Sequence, residues 1–145
     1  MEPTVHLSKA ALDYFRKKAR DCPYEIQAYL VGDVYYPNQI NVTSIEHARE
    51  YNIQTKDGVQ PTGEEFDRVK SLAAYQGHRI VGDIHSHPNE DPIMSPRDYQ
   101  ACIEDGLHVA GIVGVRGRKT KVLFWLAGSP LPCEVEYTPY VPEEE

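Results

Sequence analysis

His85 and His87 lie two residues apart in G-D-I-H-S-H-P, and Ser95 and Asp98 follow in S-P-R-D, the densest group of chemistry-bearing side chains in the chain. Ile80, Val81 and Ile84 mark Arg79 to Ser86 as a strand. Side chains two apart on a strand leave by the same face, so the two imidazoles form a two-nitrogen clamp. Pro88 ends the strand, the polar loop Asn89 to Asp91 turns the chain back, and Ser95 with Pro96 opens a helix that supplies Asp98 as a third ligand. Two neutral imidazoles and a carboxylate suit zinc and leave a fourth tetrahedral position for water, the pattern of a catalytic rather than a structural site. Zinc lowers the pKa of such a water to about 7. Ser95, three residues before Asp98, comes close to the same ion and is a candidate donor to a developing oxyanion. A general base must come from elsewhere, and Glu25, which opens a strand whose apolar residues face the other way, is the best-placed carboxylate.

Each of these residues has a plainer reading. The histidines could be an ordinary pair on a half-buried strand, and Glu25 a solvated strand residue. Ser95 and Asp98 also form an S-x-x-D capping box, a role compatible with metal binding because the box fixes the helix start beside the ion. Two histidines and a carboxylate describe a facial iron triad as well, but the oxygenase order of H-x-D and a distant histidine is absent. A zinc deaminase would need H-x-E and P-C-x-x-C, and neither occurs.

The elements that must position these groups follow from periodicity. Leu7, Ala11, Leu12, Phe15 and Ala19 recur at helical spacing around Ser8, an N-cap, so helix one spans Lys9 to about Asp21. Tyr24 to Tyr36 reads as a strand with Ile26, Ala28, Leu30 and Val34 on one face and Glu25, Gln27 and Tyr29 on the other. Gln39 to Glu46 is its hairpin partner, with Ile40, Val42 and Ile45 alternating only loosely, and Ala48 to Pro61 is a long polar stretch. Thr62-Gly63-Glu64-Glu65 has the form of a capping box, and Phe66, Val69, Leu72 and Ala73 place helix two between it and Gly77. Helix three runs from about Pro96 to Asp105. His108 to Val115 and Lys121 to Leu126 are strands joined by the basic tip Arg116-Gly117-Arg118-Lys119, whose charges serve solubility, and a last strand lies near Glu134 to Tyr137. Helices interrupting hairpins indicate an α/β (α+β) fold, a mixed β-sheet flanked by about three helices.

The 145 residues suit one domain, residues 1–138, with an acidic tail at 139–145. A net charge of −7 argues against general nucleic-acid binding. Cys22, Cys102 and Cys133 are odd in number and lack C-x-x-C spacing, which points to reduced thiols rather than a disulfide framework. With no signal core and no long apolar run, a cytoplasmic protein without a membrane segment is expected.

H-S-H-P, with seven residues between His87 and Ser95, and then S-P-R-D resemble the JAMM motif of the MPN-domain zinc isopeptidases, H-x-H, x7, S, x2, D, and E-I-Q-A-Y-L-V-G from Glu25 to Gly32 resembles the family's E-x-x-G-x-L-x-G segment. The match covers Glu25 to Asp98, about half of the chain. It implies an MPN/JAMM-like, cytidine-deaminase-like architecture of bacterial or phage type. Its site would hold one zinc on His85, His87 and Asp98, use Glu25 to activate water and protonate the leaving amine, and use Ser95 to steady the oxyanion. The implied reaction is peptide or isopeptide hydrolysis. The substrate would be a protein, at the tail of a ubiquitin-like or sulfur-carrier-like partner or of a phage-type polypeptide. Ala28 stands in place of the family's glycine and Asp83 in place of a frequent tryptophan, and long insertions of the kind that hold ubiquitin are absent. A non-catalytic MPN-type binding or assembly module is the alternative, against which stands the filling of every catalytic position. The oligomeric state is not legible.

Overall fold

The computed structural model describes residues 4–35, 39–93, 98, 100, 108–126, 129 and 133–138. Its elements are β1 (Thr4–Ser8), α1 (Lys9–Asp21), β2 (Gln27–Tyr35), β3 (Gln39–His47), β4 (Tyr51–Gln54), β5 (Val59–Pro61), α2 (Gly63–Tyr75), β6 (Arg79–Pro88), β7 (Val109–Arg116), β8 (Lys119–Leu126) and β9 (Glu134–Thr138). Seven strands form one sheet in the order β8-β7-β6-β2-β3-β1-β9, and β4 and β5 form a separate hairpin. The sheet is mixed: β1 runs parallel to β3 and β9, and β6 parallel to β7, while β2 is antiparallel to both of its neighbours.

The two helices cover opposite faces. On one, Leu12, Phe15 and Ala19 of α1 pack with Val5, Leu7, Ala28, Leu30, Ile84, Val113 and Phe124. On the other, Val69 and Ala73 of α2 pack on Tyr29 and Val31, with Phe66 and Ile80 at the margin. The second face of β2 is therefore a core face too, and the expectation that Tyr29 lies opposite the apolar side holds only for the α1 side.

Several expectations shift. Leu7 is not part of the helical stripe but lies in β1, a strand ahead of helix one that the periodicity does not mark. Ser8 is nonetheless the N-cap, its hydroxyl accepting from Ala11 N–H at 3.3 Å. The loose alternation in β3 has a cause: opposite the Val31/Gly32 step one extra residue enters β3, so Gly32 pairs with Val42 but Val31 with Ser44. Past this bulge the inward positions change parity, which is why Ile40 and Val42 are followed by Ile45. Gly32 is required here, because a Cβ would stand 1.8 Å from the Asn41 carbonyl oxygen. The polar stretch 48–61 contains the β4–β5 hairpin.

Two complete helices are present among the described residues where three were expected. The third, read over Pro96 to Asp105, falls mostly outside them, with Asp98 and Gln100 in helical conformation. Half of the expected capping box at α2 forms: Thr62 Oγ1 accepts from Glu65 N–H at 3.2 Å. The reciprocal half does not, because Thr62 N–H donates to the Glu50 carbonyl at 3.1 Å and the Glu65 carboxylate turns elsewhere. It accepts from Arg68 Nε at 2.8 Å and from the Arg49 and Glu50 N–H groups.

Candidate metal centre

β6 carries the histidines at its C-terminal end, deep in the sheet between β2 and β7. His85 pairs with Gln27 on one side and Ile112 on the other, and His87 pairs with Gly114. Strand alternation sends both imidazoles to the face that also carries Asp83 and Gln27. Both rings are buried, and their Nε2 atoms lie 3.0 Å apart. Asp98 faces both: one carboxylate oxygen is 3.4 Å from His85 Nε2 and the other 3.4 Å from His87 Nε2. For a tetrahedral ion with ligand bonds of about 2.0–2.1 Å, the ligand–ligand edges are about 3.3–3.4 Å. The 3.0 Å between the two Nε2 atoms and the 3.4 Å from each to its own Asp98 oxygen are near that edge, so these side chains have the kind and spacing that could hold a zinc-sized ion.

Glu25 is at the same place. It lies two residues ahead of β2 rather than inside a strand, is buried, and its ligand atoms and those of His85 and His87 all fall within 4.8 Å of one another. Its backbone is fastened by the β4–β5 hairpin: Glu25 N–H donates to the Thr55 carbonyl at 2.8 Å, and Gln54 Nε2 donates to the Glu25 carbonyl at 3.1 Å. Tyr51 reinforces the same segment, its hydroxyl accepting from Gln27 N–H at 3.0 Å and donating to Gln27 O at 3.2 Å.

The electrostatics of the cluster follow from burial. Desolvation raises the Glu25 pKa above the usual carboxylate value, against the lowering effect of His85 and His87. Burial of His85 disfavours its cation, but the hydrogen bond and charge of Asp98 outweigh this and leave its pKa raised.

Of the expected site residues, Glu25, His85, His87 and Asp98 converge; Ser95 lies outside the described residues. Ser86 was missed. Its hydroxyl points to the opposite face, accepts from Ile26 N–H at 2.9 Å and, with Ser86 N–H donating to Ile26 O at 3.0 Å, stitches β6 to the residue following Glu25. A signal existed, since a serine between two histidines falls on the face that Ile84 marks as apolar core, where a hydroxyl needs a specific partner. Asp83 is half-buried and accepts from Gln27 Nε2 at 3.2 Å beside His85. Arg116, assigned to a solubilising tip, donates from Nε to Asp91 at 2.9 Å and so ties the hairpin to the loop that follows His87.

The family described as prokaryotic homologs of the JAB domain, Prok-JAB, matches residues 8–128, a span that contains every residue of this cluster. The chain belongs to that family. Among solved structures, a Desulfitobacterium hafniense protein is similar with a TM-score of 0.71 at 16% identity, covering 95% of each chain. A Salinibacter ruber protein gives 0.62 at 19%, covering 97% of this chain and 94% of its own. At such identities they establish a shared fold. No curated protein matches the chain. Among the described residues, no helix is long and apolar enough to cross a membrane.

Proposed function

We propose that this Prok-JAB domain is a zinc-dependent hydrolase of peptide or isopeptide bonds, with His85, His87 and Asp98 holding one ion. The observation that carries the reading is the compact cluster of two imidazoles and the Asp98 carboxylate beside the buried carboxylate of Glu25. Zinc bound there would polarise the scissile carbonyl and acidify a water. Glu25 takes a proton from the attacking water and delivers it to the leaving amine nitrogen, so that its carboxylate is regenerated when the C–N bond breaks. Its burial, which raises its pKa, suits a group that must both accept and release a proton near neutral pH. Ser95 donates its hydroxyl hydrogen bond to the carbonyl oxygen as charge develops there.

The substrate is a protein with an extended tail, of the ubiquitin-like or sulfur-carrier-like kind. The β4–β5 hairpin, hydrogen-bonded to Glu25 itself, offers strand backbone along which such a tail pairs. The test begins with zinc per chain by elemental analysis for the wild type and His87→Ala, then hydrolysis of fusions carrying ubiquitin-like tails. About one zinc in the wild type, little in His87→Ala, and retained zinc without hydrolysis in Glu25→Gln are expected. Full activity in Glu25→Gln would sink the mechanism. Full zinc with no cleavage of any fusion would favour an assembly module.

A further inference from the structure

β7 reads V-A-G-I-V-G-V-R, and its second glycine, Gly114, pairs with His87 across the parallel β6–β7 ladder. Partners in such a ladder project to the same side, so a side chain at 114 would stand on the face that carries the two imidazoles. That space is already filled. A Cβ at Gly114 would lie 2.5 Å from Pro92 N, 2.6 Å from the Glu90 carbonyl oxygen and 2.6 Å from Pro92 Cδ. These are backbone and ring atoms, which cannot rotate aside. Nor does conformation call for glycine here, since among the described glycines only Gly77 and Gly117 have positive φ. Close approach of another stretch of chain is what demands it.

That stretch is the return from β6. After Pro88, Asn89 adopts a φ of 59° and reverses the chain. Ile93 N–H donates to Asp91 O at 2.8 Å within the turn, and the Asp91 carboxylate accepts from Arg116 Nε at 2.9 Å. The return loop therefore rests on β7 at two points, the bare backbone of Gly114 and the guanidinium of Arg116. Asp98 follows Pro92 by six positions.

We propose that Gly114 is a positioning residue for Asp98: by allowing the Glu90–Pro92 loop to lie directly on the sheet, it sets the height at which the carboxylate meets His85 and His87. The assignment rests on the zinc reading given above. Ordinary carbon contacts lie at about 3.5–4.0 Å, so an alanine lifts the loop by on the order of 1 Å, whereas metal–ligand distances hold to within about 0.2 Å.

Zinc affinity, measured by competition with a chromophoric chelator, and the visible spectrum of the cobalt(II)-substituted protein test this on wild type, Gly114→Ala, Asp98→Ala and the double variant. Gly114→Ala should bind zinc about 10- to 100-fold more weakly, the range found for residues that orient ligands, and alter the cobalt bands. It should add no further loss once Asp98 is gone, because it acts through that carboxylate. A merely structural glycine would lose the same factor in both backgrounds, and that result, or wild-type affinity in Gly114→Ala, overturns the proposal. If Gly114→Ala fails to fold, Arg116→Ala decides instead: a few-fold weaker zinc with a changed cobalt spectrum supports the seat, and an unchanged protein overturns it. A wild type that binds no zinc overturns the metal reading and this one with it; a zinc-binding wild type whose Gly114→Ala is indistinguishable removes the Gly114 assignment alone.

Discussion

Glu25 and Glu65 are each 5% exposed, yet burial has opposite outcomes for them. Around Glu65 the side chain of Arg68 and the N–H groups of Arg49 and Glu50 donate to the carboxylate, and its pKa falls to about 2, chiefly through the Arg68 hydrogen bond and against desolvation. Around Glu25 desolvation is the leading influence and the pKa rises. Both act on the same hairpin. Glu65 clamps the chain entering it at Arg49 and Glu50, while the strand end at Gln54 and Thr55 holds the Glu25 backbone. A carboxylate whose charge is fully answered serves as a fastener; one buried without equal compensation keeps a proton affinity that chemistry can use.

The sharpest break of this comparison is Glu25→Gln. It removes the proposed base and should lower the rate of the proposed hydrolysis about 10²- to 10⁴-fold, while urea denaturation of the metal-free protein shows unchanged or slightly increased stability because a desolvated carboxylate is gone. Glu65→Ala should do the reverse on the stability side. Leaving Arg68 and two N–H groups without their acceptor costs on the order of 3 kcal/mol, read as a lower urea midpoint.

The acid limb of stability carries the same signature. Glu65 is depressed from 4.5 to about 2 on folding, so the unfolded chain takes the proton first. Its contribution, on the order of 3 kcal/mol, is complete above pH 4.5 and is lost as pH falls from there toward 2. Glu65→Gln should flatten that part of the stability–pH curve relative to wild type. The smallest effect belongs to Tyr51→Phe, which deletes the hydroxyl bridging to both backbone groups of Gln27. It should cost about 1 kcal/mol and lower the proposed turnover a few-fold with zinc affinity unchanged, since it touches the segment that carries Glu25 and none of the proposed metal ligands.

What the sequence discloses depends on how local each relation is. His85 and His87 share a face by strand geometry alone, and Asp98 follows within the same short motif, so the proposed metal ligands are visible without a fold. Glu25 is 60 residues from His85, and only its motif segment links them. The relations that set distances are all across strands: Gly114 beside His87, Ser86 to Ile26, Thr55 to Glu25. No spacing in the chain encodes that β7 lies next to β6 in parallel. Local patterns also mislead where a tertiary partner competes. Thr62 to Glu65 has the letters of a capping box, but the nearby N–H groups of Arg49 and Glu50 capture the glutamate. Leu7 fits a helical stripe and a strand equally, and pairing with β3 and β9 decides it.

That first strand has a further consequence. β1 sits between β3 and β9, paired in parallel with both, so it is an interior member of the sheet, and among the described residues β9 joins the sheet through it. During synthesis β1 can zip onto β3 early, but its other edge must wait, with open N–H and C=O groups, until residues 134–138 have left the ribosome. The β1–β9 pairing thus closes across more than a hundred residues, a slow-closing step of high sequence separation that comes after the β6 histidines are already in the chain.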